Sequence, residues 1–155
     1  MAEDARPHVM LVCSSGGHLA QLMPLQPWWS RYRRTWVTFD KVDAISILRD
    51  EKVIWAHHPT TRNLYNLARN LSLAIRTIHK DRPDIVISSG AGVSFPFFLV
   101  AKVYRIPTCY VEVYDSIDNR TLSGRLCRPI SDLFLVQWEE QLALYPGSKL
   151  IGHLL

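Results

Sequence analysis

The sequence predicts an α/β fold, a Rossmann-like parallel sheet with helices on both faces. Three observations predict it. Short apolar runs alternate with segments of helical period along the whole chain. Several of the runs are nearly continuous, as in strands buried on both sides, rather than alternating with polar residues. Two of them lead straight into glycine-bearing turns, Ser14-Ser15-Gly16-Gly17 and Ser88-Ser89-Gly90-Ala91-Gly92, and each turn opens a helix.

The elements follow in order. Residues 8–13, HVMLVC, form the first strand. A helix over 18–29 follows, shortened or kinked by Pro24 and Pro27. Residues 35–39 make a second strand. A short helix to residue 50 follows, with Asp40 as its N-cap and Asp43 in its first turn. Residues 52–55 are a third strand. The clearest helix covers 61–80, where Leu64, Leu67, Leu71, Ile75 and Ile78 recur at spacings of three and four. Arg62, Asn66, Arg69, Asn70 and Arg76 occupy the other face, Thr60 or Thr61 caps the start, and His79 and Lys80 suit the negative end of the dipole. Strands at 84–88, 108–112, 133–136 and 149–151 complete the sheet. Helices lie between them, to residue 104, over 122–129 and over 137–144.

The chain has 155 residues, which suits one domain spanning 1–155. Hydrophobic residues are 48% and charged residues 21%, a globular composition. The net charge of +4 suits an anionic partner such as a phosphate, a sugar nucleotide or a membrane surface, and does not call for nucleic acid. Cys13, Cys109 and Cys127 show no C-x-x-C spacing and read as reduced, buried thiols. No metal-ligand pattern and no cofactor fingerprint appears. Residues 1–6 lack an apolar targeting core, and no run reaches the roughly 18 apolar residues of a membrane span. Membrane contact is therefore expected to be peripheral or made through a partner.

Ligands of such sheets bind beyond the carboxyl ends of the strands, so the residues after each strand are the candidates. Ser15, Gly16 and Gly17 let the backbone turn sharply at a helix N-terminus, an arrangement suited to a phosphate or diphosphate. The alternative is a tight turn with no ligand. Gly90, Ala91 and Gly92 repeat the arrangement after the fourth strand. G-x-G-x-x-G is absent, so the turn does not carry the dinucleotide fingerprint. His18 opens the first helix. Its neutral imidazole can take a proton from a sugar hydroxyl, hydrogen-bond a phosphate, or merely cap its helix. Glu112 and Asp115 stand at the end of the fifth strand. Glu112 is read as a sugar-binding group or base, or as a carboxylate paired with Arg120 or Arg125. Trp28, Trp29, Arg31, Arg33 and Arg34 interleave rings with cations, as at a bilayer interface or a partner surface, as in a single-stranded nucleic-acid binder, or as a partly buried Trp pair beside a solvated basic turn. The run from Phe95 to Leu99 reads as a core helix more readily than as an apolar outer surface.

Several motifs in this order resemble a known family. They are Ser15-Gly16-Gly17-His18-Leu19, Ser89-Gly90-Ala91-Gly92 with Pro96, Tyr110-Val111-Glu112 and Leu122-Ser123-Gly124-Arg125-Leu126. Asp132-Leu133-Phe134-Leu135-Val136-Gln137-Trp138 and Tyr145-Pro146 with Gly152 complete the set. The family is the oligosaccharide-biosynthesis group that includes the membrane-recruiting subunit of the eukaryotic GlcNAc transferase of asparagine-linked glycosylation and the PssD-type subunits of capsule and exopolysaccharide glycosyltransferases. The glycine turns are shared with MurG-like glycosyltransferases. The resemblance implies the acceptor half of a GT-B fold. It implies a separate donor-binding glycosyltransferase subunit that holds the nucleotide-sugar donor, and a polyprenyl-diphosphate-linked sugar acceptor at the cytoplasmic face of the membrane. The same resemblance leaves open a scaffold that recruits or activates a separately competent transferase. After Glu112 the family pattern implies an aromatic followed closely by Arg. Here the residues are Val113-Tyr114-Asp115-Ser116, with Arg120 as a possible replacement.

Overall fold

A computed structural model describes residues 5–155. The reading of residues 1–6 as lacking a targeting core falls partly on residues 1–4, which lie outside the described residues.

Seven strands form one parallel sheet in the order β3-β2-β1-β4-β5-β6-β7. They are β1 (His8–Cys13), β2 (Arg33–Thr38), β3 (Val53–Trp55), β4 (Ile85–Gly90), β5 (Thr108–Val111), β6 (Leu133–Val136) and β7 (Lys149–Leu150). The helices are α1 (Gly17–Leu22), α2 (Gln26–Trp29), α3 (Val42–Ile47), α4 (Leu64–Asp81), α5 (Ser94–Val103), α6 (Leu122–Cys127) and α7 (Glu139–Leu144). The chain first builds outward from β1 to β3. Then α4 carries it back across the sheet to β4, on the other side of β1. The strand order thus reverses between β1 and β4, and a crevice opens there at the carboxyl ends.

All six β1 residues are buried, as its unbroken apolar run requires. They alternate between two cores. Val9, Leu11 and Cys13 pack with Leu19, Leu22, Trp29, Trp36 and Ala44 on one face. Met10 and Val12 pack with Ala74, Ile78, Phe97, Phe98 and Tyr110 on the other. Phe97 and Phe98 are fully buried, so the aromatic run of α5 belongs to the core. All three cysteines are buried and free. Pro24 and Pro27 divide the first helical segment into α1, a 3₁₀ turn at Met23–Leu25 and α2.

Three sequence readings are corrected. Asp40 does not cap α3. Lys41 is the N-cap without a side-chain bond, and Asp40 Oδ1 instead meets His58 Nε2 at 2.7 Å. Asn63, not Thr60 or Thr61, caps α4, its side chain accepting from Asn66 N at 2.9 Å, a contact of the kind that contributes about 1 kcal/mol. The buried face of α4 is also rotated from the leucine stripe. Leu64 is 80% exposed and Ile75 46% exposed, whereas Asn66 and Asn70 are buried. The asparagines turn inward because backbone polar groups await them. Asn70 accepts from His57 N at 2.8 Å and donates to His57 O at 2.9 Å, and Asn66 donates to Pro59 O at 2.9 Å. Satisfying those groups outweighs burial of two more aliphatic chains.

Candidate functional site

The crevice at the switch point holds a cavity of about 610 Å³. Ser14, Ser15 and His18 line it from the first turn, and Ala91 and Gly92 from the second. Phe39 and Lys41 follow β2, the segment from His58 to Arg62 follows β3, and Leu122 and Ser123 begin α6. The two glycine-bearing turns thus share one rim and one space. A smaller cavity of about 260 Å³ adjoins it, lined by His18, Ala91, Tyr110, Val113, Asp115, Ser116, Thr121, Leu122 and Ser123.

His18 is held by a two-way clasp. Its Nδ1 lies 2.8 Å from the Ser89 carbonyl oxygen, and the Ser89 hydroxyl donates to the His18 carbonyl at 2.6 Å. A carbonyl only accepts, so Nδ1 carries the proton and Nε2 keeps the lone pair. The clasp exists because the β1–β4 register slips at the rim. Val12 pairs with Ser88 and Cys13 with Gly90, which leaves Ser89 without a counterpart on β1. Beyond it the backbone takes φ 115° at Gly90 and φ 76° at Ala91. The second value holds an L-residue in a region that costs on the order of 1–3 kcal/mol, the kind of strain that gathers at working sites. Gly92 permits a close approach, since a Cβ there would lie 2.8 Å from Thr60 Cβ.

The other candidates separate. Ser15, Ala91 and Gly92 line the larger cavity, while Gly16, Gly17 and Gly90 do not. Gly16 N donates to Asp43 Oδ2 at 2.7 Å, so this amide is already occupied and is not aimed at a ligand. Asp115 is exposed and lines the smaller cavity. Glu112 is fully buried, and neither Arg120 nor Arg125 pairs with it. Its carboxylate accepts from Val113 N at 2.9 Å, from Thr121 Oγ1 at 3.0 Å and, in a short bond, from the Tyr145 hydroxyl. Burial pushes its carboxyl above the ordinary value, against the pull of those three donors. It has no exposed surface in this chain. It fastens Thr121, and with it the start of α6, beneath both cavities. Arg120 lies over the Tyr145 ring, 5.8 Å from its centroid, and lines neither cavity.

The aromatic-basic cluster is also divided. Trp29 is buried, donates from Nε1 to Leu22 O at 2.9 Å and meets Trp36 edge-on. Arg34 stacks over Trp29 and pairs with Glu51 at 2.7 Å. These two are internal fittings, not membrane surface. Trp28 and Arg31 are exposed, and Arg33 is half-buried at the start of β2, on the amino-end edge away from the cavities.

Lys41, His58 and Arg62 were absent from the sequence candidates. The rule that ligands gather after strand ends reaches them when applied to β2 and β3 as well as to the glycine turns. The Asp40–His58 contact draws the Asp40 carboxyl below its ordinary value.

The seven-stranded parallel sheet with a crevice at its switch point has the fold of one half of a GT-B architecture. The chain belongs to the family described as oligosaccharide biosynthesis protein Alg14 like, whose model matches residues 30–154. The UDP-N-acetylglucosamine transferase subunit ALG14 of Yarrowia lipolytica is 23% identical over 177 residues, covering 97% of this chain and 82% of the relative. The UDP-N-acetylglucosamine--N-acetylmuramyl-(pentapeptide) pyrophosphoryl-undecaprenol N-acetylglucosamine transferase of Carboxydothermus hydrogenoformans is 35% identical over 77 residues, 48% of this chain and 20% of that one. The crystal structure of Acinetobacter baumannii MurG superposes with a TM-score of 0.74 at 15% identity, over 95% of this chain. The chain spans 46% of that structure, less than half its length.

Proposed function

We propose that this chain is the acceptor-binding half of a two-component glycosyltransferase. A separate donor-binding subunit holds the nucleotide sugar, and the sugar passes to a polyprenyl-diphosphate-linked acceptor in polysaccharide assembly, of the capsule or exopolysaccharide kind. The observation that carries this reading is His18. Its proton is fixed on Nδ1 by Ser89, and the ring lines both cavities. Nε2 is thus free to take the proton of an acceptor hydroxyl as that oxygen attacks the anomeric carbon of the donor and the nucleoside diphosphate leaves. Lys41 and Arg62 add cationic charge to the larger cavity, as a diphosphate needs. The relatives' names agree with the reading, one a UDP-N-acetylglucosamine transferase subunit and one a pyrophosphoryl-undecaprenol N-acetylglucosamine transferase.

The acceptor's lipid requires a membrane nearby. No helix among the described residues is long and apolar enough to cross one. The contact is peripheral in this reading, at the cytoplasmic face, and lies on the layer of α4, α5 and α6. These helices pack side by side. Leu64, Tyr65, Val103, Leu122 and Leu126 are exposed on them, among Arg69, Arg76, Lys102 and Arg125. From residue 64 to residue 80 there is no acidic residue. Such a surface suits anionic headgroups.

Reconstitution tests the proposal. The chain, a donor-binding partner, a short-chain sugar-bearing polyprenyl diphosphate and UDP-N-acetylglucosamine should give product only when both proteins are present. Full-rate transfer by the partner alone would contradict it. Turnover that survives His18→Ala in an intact complex would favour the recruiting scaffold instead.

A further inference from the structure

We infer that the two cavities divide one acceptor between them. The larger takes the diphosphate, the smaller takes the sugar ring, and Asp115 reads that sugar. This rests on the function proposed above and adds which residues recognise which part of the substrate.

Charge separates the two spaces. The larger is lined by Lys41 and Arg62 and, among the described residues, by no carboxylate. Of the nearby acids, Asp40 is paired with His58, itself a lining residue, and Asp43 accepts from Gly16 N. The smaller is lined by Asp115 and by Ser116 and Ser123, and it has no Lys or Arg. A diphosphate placed there would face a carboxylate, whereas sugar hydroxyls would donate to it. Size agrees with charge. About 260 Å³ holds one pyranose ring, and about 610 Å³ holds a diphosphate with the start of its lipid.

His18, Ala91, Leu122 and Ser123 line both cavities and form the passage between them. An acceptor threaded through this passage therefore presents its ring beside His18. Asp115 is in place because its segment is fastened from below. Tyr114 N donates to Gln21 Oε1 at 3.1 Å, and Gln141 Nε2 donates to the carbonyls of Val113 and Ser116 at 2.9 and 3.0 Å. Gln21 in turn accepts from Gln137 Nε2 at 2.6 Å. A carboxylate on so rigid a mount selects between hydroxyl arrangements rather than adapting to them.

The test compares two ligands with the assembled complex. One is a short-chain polyprenyl diphosphate bearing the acceptor sugar, and the other is the same diphosphate without sugar. Asp115→Asn should weaken the first by roughly tenfold, the scale of a lost charged hydrogen bond, and leave the second within about twofold. Lys41→Ala with Arg62→Ala should weaken both. Asp115 is exposed, so the variant folds. Equal effects of Asp115→Asn on both ligands, or none on either, would overturn the division. Turnover of the wild-type complex reports separately on the function itself, so the two failures are distinguishable.

Discussion

His18 Nδ1 lies 2.8 Å from the carbonyl oxygen of Ser89, the residue that the slipped β1–β4 register leaves without a partner on β1. One irregularity in the ladder therefore sets the tautomer of the ring that the proposed chemistry uses.

The first prediction concerns that ring. His18→Asn retains a side chain that can donate to Ser89 but offers no basic nitrogen. In the assembled complex kcat should fall by about 10²–10⁴, the usual worth of a positioned general base, with the acceptor KM little changed. Loss confined to KM would make His18 a binding residue.

Gly124 tests the buried clasp under α6. A Cβ there would lie 2.5 Å from the Tyr145 hydroxyl, 2.8 Å from Thr121 Oγ1 and closer still to Glu112. Gly124→Ala should destabilise the fold by about 1–3 kcal/mol in denaturant titration. A change below about 0.5 kcal/mol would show that the clasp yields.

Glu112 gives a pH dependence with a definite sign. Its carboxyl titrates higher in the folded chain than in the unfolded one, because burial disfavours its charge. Between those two values the folded state holds more protons, so this group's contribution to stability falls as pH rises. The stability of wild type minus that of Glu112→Gln should shrink as pH rises above the ordinary carboxyl range. A difference that grows with rising pH there would contradict the assignment.

Much of this fold was legible in the chain because its strands are buried on both faces. HVMLVC suits a strand buried on both faces, and Pro24 and Pro27 mark where the first helical segment breaks. The shared rim of the two glycine turns followed from the same alternation. The inward asparagines of α4 were not legible. Asn66 and Asn70 are buried for the sake of the His57–Pro59 backbone, which becomes their neighbour only in the tertiary fold. Glu112 misled for a similar reason. Its partners Thr121 and Tyr145 lie 9 and 33 residues away, so the buried clasp that this strand-end carboxylate makes could not be read locally. Trp29 and Arg34 resembled an interface motif because composition does not separate a stacked internal pair from an exposed one.

The proposed membrane contact is tested by charge reversal. Arg69→Glu with Arg76→Glu should weaken binding to vesicles containing phosphatidylserine by about thirtyfold or more in a sedimentation titration, since each cation near an anionic surface contributes about 1 kcal/mol. Trp28→Ala should leave it unchanged. The opposite pattern would return the contact to the amino-end edge.

Calorimetric titration of the wild-type chain with the sugar-bearing diphosphate, and separately with UDP-N-acetylglucosamine, tests the acceptor assignment most directly. The account predicts saturable binding of the first, lost in Lys41→Ala with Arg62→Ala, and far weaker binding of the second. Tight binding of the nucleotide sugar in this crevice, with none of the lipid-type diphosphate, would contradict it.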